Sequence, residues 1–92
     1  MEEKYSLTDQ VRRSSRYVCV NIAEAYRRRR GTDYFISKLC DAETENSETN
    51  VWLDFALGCE YLTPEIYSRL SFTNDKVGKL LWRMINNPDK FR

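Results

Sequence analysis

The sequence has no histidine in 92 residues. The commonest general base and the commonest nitrogen ligand for a metal are therefore both absent. Its three glycines, Gly31, Gly58 and Gly78, stand far apart, which excludes a glycine-rich loop of the kind that cradles phosphates. No apolar run is long enough to span a bilayer, and the start lacks a signal-peptide pattern. Neither a membrane nor export is expected, and the cytoplasm is the expected location. Cys19, Cys40 and Cys59 are odd in number and never in Cys-x-x-Cys spacing. They are expected as reduced, small, half-buried residues, with no disulfide framework. Glu43, Glu45 and Glu48 cluster, but di-metal helical bundles pair such acids with Glu-x-x-His, which this chain cannot supply. No catalytic residue, metal ligand or cofactor is expected, and the chain is not read as an enzyme.

What is present is a stretch from Ser6 to Gly31 around which the rest is organised. Leu7, Val11, Val18, Ile22 and Ala25 recur at helical steps and share one side of an α-helix. Ser14 and Ser15 fill the gap in that stripe and would let a neighbouring helix approach closely. Ser6 or Thr8 can cap its start, with Met1 to Tyr5 a polar lead-in that is either frayed or an entry turn, and Gly31 can stop it. Beside the apolar stripe runs a polar one of Gln10, Ser14, Tyr17, Asn21, Glu24 and Arg28. Either it is a solvated flank, or it is a hydrogen-bonded seam against another helix or another subunit.

Thr32 or Asp33 is placed to cap a second helix. Phe35, Leu39, Ala42, Asn46, Thr49, Leu53 and Ala56 keep alternating steps of four and three, which supports one helix to about Glu60. Glu43 to Asn50 has no apolar residue, so a loop there is the rival. Continuity is preferred because no Gly or Pro interrupts the run and the seam keeps its phase. Near its end Val51, Trp52, Leu53, Phe55, Ala56 and Leu57 spread apolar surface over most of the circumference, as in a helix covered on several sides. A third helix starts at Thr63-Pro64-Glu65, a cap followed by proline in the first turn. Its inward face is marked by Ile66, Leu70, Thr73, Val77, Leu80 or Leu81, and Met84, and Asn86-Asn87-Pro88 ends it. The expectation is an all-α antiparallel up-down bundle in one domain, residues 1–92, with three long helices at about 6–30, 33–60 and 63–87.

Net charge is only +1, yet it is sorted by helix. Residues 11–30 carry seven arginines against Glu24 alone, whereas residues 31–62 carry Lys38 against seven acids. One account is complementary packing between helices or subunits. The other is a basic surface of Arg12, Arg13, Arg16, Arg27, Arg28, Arg29 and Arg30 facing phosphates, with Tyr17, Tyr26 and Tyr34 near enough to stack on bases.

SLTDQVRRSSRYVCVNIAEAYRRRR, FISKLCDAETENSETNVWLDFALGCEYL and LLWRMINNP together resemble the small four-helix-bundle family encoded in intervening sequences of large-subunit ribosomal RNA genes. Related accessory proteins accompany the reverse transcriptases of diversity-generating retroelements. Ala25 stands where the family motif usually has Gly, which favours continuous helix. The family normally carries a further helix ahead of EEKYSLTDQ, so its first helix is expected to be missing here, with a groove left open.

The resemblance implies a homo-oligomer, in relatives a ring of five, and no settled activity. Tyr17, Asn21, Glu24, Trp52 and Phe55 are the candidate oligomer contacts. Two functions follow: an RNA- or DNA-binding accessory protein using the arginine face, or a scaffold that meets a reverse transcriptase or another protein without touching nucleic acid.

Overall fold

A computed structural model describes residues 2–92, and among these every regular element is helical. Helix α1 spans Glu2–Arg27, α2 Thr32–Gly58, α3 Pro64–Asn86 and the single turn α4 Pro88–Phe91. Helix α1 thus begins four residues earlier than the spacing suggests, because Glu2 and Glu3 put acids where the exposed N–H groups of a first turn favour them. Met1, the first residue of the expected lead-in, lies outside the described residues. Helix α1 also ends earlier, at Arg27, so Arg28, Arg29 and Arg30 lie in the turn. The Gly31 N–H closes that turn on the Arg28 carbonyl at 3.2 Å.

Helix α2 runs unbroken through its apolar-free middle and lies between α1 and α3, whose backbones stay apart. The Cα envelope, 46 × 22 × 13 Å, is accordingly about three helices wide and much thinner than it is wide. Phe35, Leu39, Ala42, Val18, Ala25, Leu81 and Met84 form the core cluster. Phe35 is fully buried, and Tyr26 meets its ring edge-to-face at 5.4 Å. Tyr26 is therefore a core side chain and not a stacking platform. Of the expected inward residues of α3, Leu81 and Met84 are buried and Val77 is half-buried, while Ile66, Leu70 and Thr73 are exposed.

The polar middle of α2 is buried by pairing. Ser14 and Thr49 share a hydroxyl–hydroxyl bond of 2.7 Å between α1 and α2. Asn46 and Asn74 exchange side-chain-to-carbonyl bonds of 3.1 and 3.0 Å between α2 and α3. A Cβ on Gly78 would come within 3.1 Å of the Asn46 amide, so the glycine fits this close approach. Pairing of this kind removes the ~1–3 kcal/mol cost that an isolated buried polar group would carry.

One expected helix cap forms and one does not. The Thr63 hydroxyl accepts from the Ile66 N–H at 3.2 Å with Pro64 at the first helical position. At α2, however, Gly31 occupies the capping position without a side-chain bond, and Thr32 is already helical. The end of α2 places its left-handed residue at Glu60 (φ 62°), and Tyr61 N–H reaches the Ala56 carbonyl at 2.8 Å. The three cysteines are free and exposed, not half-buried: helical phase sets Cys19 and Cys40 off the packing seam, and Cys59 follows the end of α2. No helix among the described residues is long and apolar enough to cross a membrane.

Candidate nucleic-acid interface

The seven arginines of the basic tract divide into groups with different surroundings. Arg13 turns across the α1–α2 seam, where its guanidinium meets Glu48 at 3.1 Å and Glu45 at 3.6 Å and bonds Gln10 at 3.1 Å. Helical phase explains this: Gln10, Arg13, Tyr17 and Glu24 share the flank that borders α2. Glu24 in turn binds Lys38 at 3.0 Å, and this carboxylate holds the Lys38 ammonium above its ordinary pKa. The polar stripe of α1 is therefore largely a seam with α2, and the complementary-packing account describes Arg13 and Glu24.

Arg12 and Arg16 lie two helical steps away on the side of α1 turned from α2, and both are exposed. The Arg16 Nε donates to the Arg12 carbonyl at 3.2 Å. Arg27 follows in the same direction, and the chain then turns. Arg27, Arg28, Arg29 and Arg30 with Gly31 and Tyr34 line a recess of about 640 Å³ at this corner. Arg28 lies over the Tyr34 ring at 5.4 Å, and Arg29 donates to the Tyr26 carbonyl at 3.1 Å. None of these six arginines forms an ion pair among the described residues. Helix α4 brings Arg92 to the same corner, where it donates to the Arg30 carbonyl at 3.2 Å and pairs with Asp89 at 3.0 Å. This residue escapes a reading of charge runs, although Pro88 in a first-turn position signals the helical turn that carries it.

Glu45 lies behind Arg13, and burial together with neighbouring Glu48 pushes its carboxyl above the ordinary value. The Glu45 Oε2 atom is out of contact with solvent and accepts no hydrogen bond. Glu45 and Glu48 of α2 thus serve the seam with α1.

The candidate oligomer contacts are scattered over the slab. Tyr17 is about half exposed, with Arg13 5.8 Å above its ring, and Asn21 donates to the Tyr17 carbonyl. Glu24 is engaged by Lys38. Trp52 is half-buried with its ring N–H unpartnered, and Phe55, tilted against it at 6.2 Å, is 55% exposed. Between α1 and α3 runs an apolar groove of two recesses, about 450 and 250 Å³, with Val11, Leu53 and Leu70 common to both.

These features define a small all-α protein with an ion-paired seam and an arginine-rich edge and corner. The chain belongs to the 23S rRNA-intervening sequence protein family, whose sequence profile matches residues 1–83. It is also similar to a protein of unknown function from the S23 ribosomal protein family of Bacteroides thetaiotaomicron VPI-5482, seen in a crystal structure at 1.70 Å. The identity is 32%, the TM-score is 0.84, and the match covers 87% of this chain and 70% of the other. No curated protein matches the chain.

Proposed function

We propose that this protein is a non-enzymatic, oligomeric accessory protein of the cytoplasm that binds RNA through its arginine edge and corner. The observation that supports this is the division of the arginines. Arg13 is committed to Glu45 and Glu48, whereas Arg12, Arg16, Arg27, Arg28, Arg29 and Arg30 face outward without acidic partners. Six outward guanidiniums along one edge and round one corner suit a phosphate chain, which needs charge spaced along a path. Tyr17 and Tyr34 lie beside arginines and offer ring faces. The family's link to ribosomal RNA genes supports RNA as the polyanion.

Oligomerisation is supported by the uncovered apolar surface: the groove between α1 and α3, and Val51 and Phe55 on α2. A symmetric assembly, five copies by resemblance to relatives, would repeat the arginine edge and raise avidity without new contacts. The same apolar surface favours a second reading, a scaffold that meets a reverse transcriptase or another protein and leaves nucleic acid untouched.

Light scattering on a sizing column, with and without a mixed-sequence RNA at two salt concentrations, separates the two. The proposal expects a mass above that of the monomer and a further, salt-sensitive increase with RNA. An oligomer indifferent to RNA would leave the scaffold reading, and a stable monomer at micromolar concentration would contradict both.

A further inference from the structure

Helix α3 carries a second basic surface, and no adjacent charges advertise it. Arg69, Phe72, Lys76, Lys79 and Arg83 follow one another at steps of three, four, three and four, which sets them on one stripe of the helix. That stripe points away from α2, because the buried residues of α3, Leu81 and Met84, occupy the opposite side. All five side chains are exposed, and none of the four cations forms an ion pair among the described residues. Phe72 is 62% exposed, and the Lys76 ammonium lies 4.7 Å from its ring centroid. Trp82, 61% exposed, flanks Lys79 one turn on.

Large aromatic rings are costly to leave in water, and here they alternate with cations on an edge that packs against nothing in the chain. We propose that this edge of α3 is a binding site for single-stranded nucleic acid, with bases stacking on Phe72 and Trp82 and phosphates held by Arg69, Lys76, Lys79 and Arg83. Charge complementarity selects a polyanion, and the rings select one with unpaired bases, since paired bases hide their faces. An anionic membrane suits it less well. Phe72 and Trp82 are separated by cations along the stripe, so this edge offers no continuous apolar face to enter lipid.

This inference rests on the reading above for the class of ligand, but on different residues. Arg12 and Arg16 lie on the edge of α1 across the width of the slab, so one flexible strand passing round the arginine corner would meet both edges.

The test uses the full chain and a fluorescein-labelled 15-nucleotide oligouridine at low salt. Anisotropy measures affinity, tryptophan emission reports stacking, and sizing with light scattering reports assembly. Phe72→Ala with Trp82→Ala is expected to weaken binding roughly 10- to 100-fold with the assembly mass unchanged. Lys76→Gln with Lys79→Gln should lower the salt slope by about 1.4, at ~0.7 for each lost phosphate contact. The oligonucleotide should quench the wild-type tryptophan emission and leave that of Trp82→Phe nearly unchanged.

Undiminished binding by both α3 variants would overturn the site. If it is accompanied by loss in an Arg12, Arg16 and Arg27–Arg30 glutamine variant, the arginine reading stands alone. Loss only in the α3 variants would support this site and overturn the arginine reading, while no binding by the wild type would overturn both. A fall in assembly mass for the aromatic variant would make the edge a contact between copies, contrary to the proposal. So would phosphatidylglycerol vesicles bound through this stripe while the oligonucleotide is not.

Discussion

The two sides of α2 are held in different ways. Towards α1 the contact is electrostatic as well as apolar: Arg13 spans to Glu45 and Glu48, Lys38 to Glu24, and Ser14 to Thr49. Towards α3 no ion pair occurs among the described residues, and the Asn46–Asn74 exchange, Leu81 and Met84 carry the contact. Tyr67 adds a phenol bond to Asp54 near the end of the slab, and this raises the Tyr67 pKa. The difference teaches where the cations go. On the α1 side the acids of α2 consume one arginine of seven and leave six outward. On the α3 side no acid of α2 draws a cation inward, so Arg69, Lys76, Lys79 and Arg83 all stay on the outer edge.

The comparison breaks most severely where either side loses core volume. Phe35→Ala on the α1 side should cost about 3–5 kcal/mol, and Leu81→Ala on the α3 side about 2–5 kcal/mol. Urea unfolding of both variants would show it, with the loss at Leu81 sparing the α1–α2 seam if the two sides melt separately. Next comes the double change Asn46→Ala with Asn74→Ala, which removes both bonds of the pair, since each amide donates to the other residue's main-chain carbonyl and either single change spares one. A cost of about 1–3 kcal/mol is expected. The double change should cost more than Ser14→Ala, expected at about 1 kcal/mol, because it removes two bonds and after Ser14→Ala Thr49 still bonds the Glu45 carbonyl at 2.9 Å.

The smallest effect falls on Glu45. Burial and Glu48 raise its pKa in the folded chain above the unfolded value, so its protonated form suits the folded state better than its charged form. Its contribution is therefore fully present below the unfolded carboxyl value near pH 4.5 and is lost as pH rises through the raised folded value. Glu45→Gln should raise Tm by about 2–4 °C at pH 7 and by nearly nothing at pH 4. A destabilised variant at pH 7 would mean that the 3.6 Å contact with Arg13 outweighs the burial.

Much of this architecture is legible in the sequence because helical spacing is a local property. The seam through Phe35, Leu39, Ala42, Leu53 and Ala56 keeps its phase across the apolar-free segment, and α2 is continuous. The reason that segment can be buried is not local: Asn46 needs Asn74 and Thr49 needs Ser14, partners 28 and 35 residues away. The end of α2 is obscured because its left-handed position falls on Glu60 while the glycine is at 58.

Of the candidate site, the density of the arginine run draws notice to the outer edge of α1 and its corner but treats Arg13 as one of the set. Only the facing acids of α2 distinguish it. The α3 stripe is missed for the opposite reason, since its cations are never adjacent and reveal themselves only at helical spacing.

The division of the arginines is tested most directly by the salt dependence of RNA affinity in paired variants. Arg13→Gln should leave the log–log slope and the affinity nearly unchanged, with a stability loss of about 0–1 kcal/mol. Arg12, Arg16 and Arg27–Arg30 changed together to Gln should flatten the slope by up to about 4, at ~0.7 per phosphate contact, with the assembly mass preserved. A steep slope retained by the six-arginine variant, or lost in Arg13→Gln alone, would contradict the account.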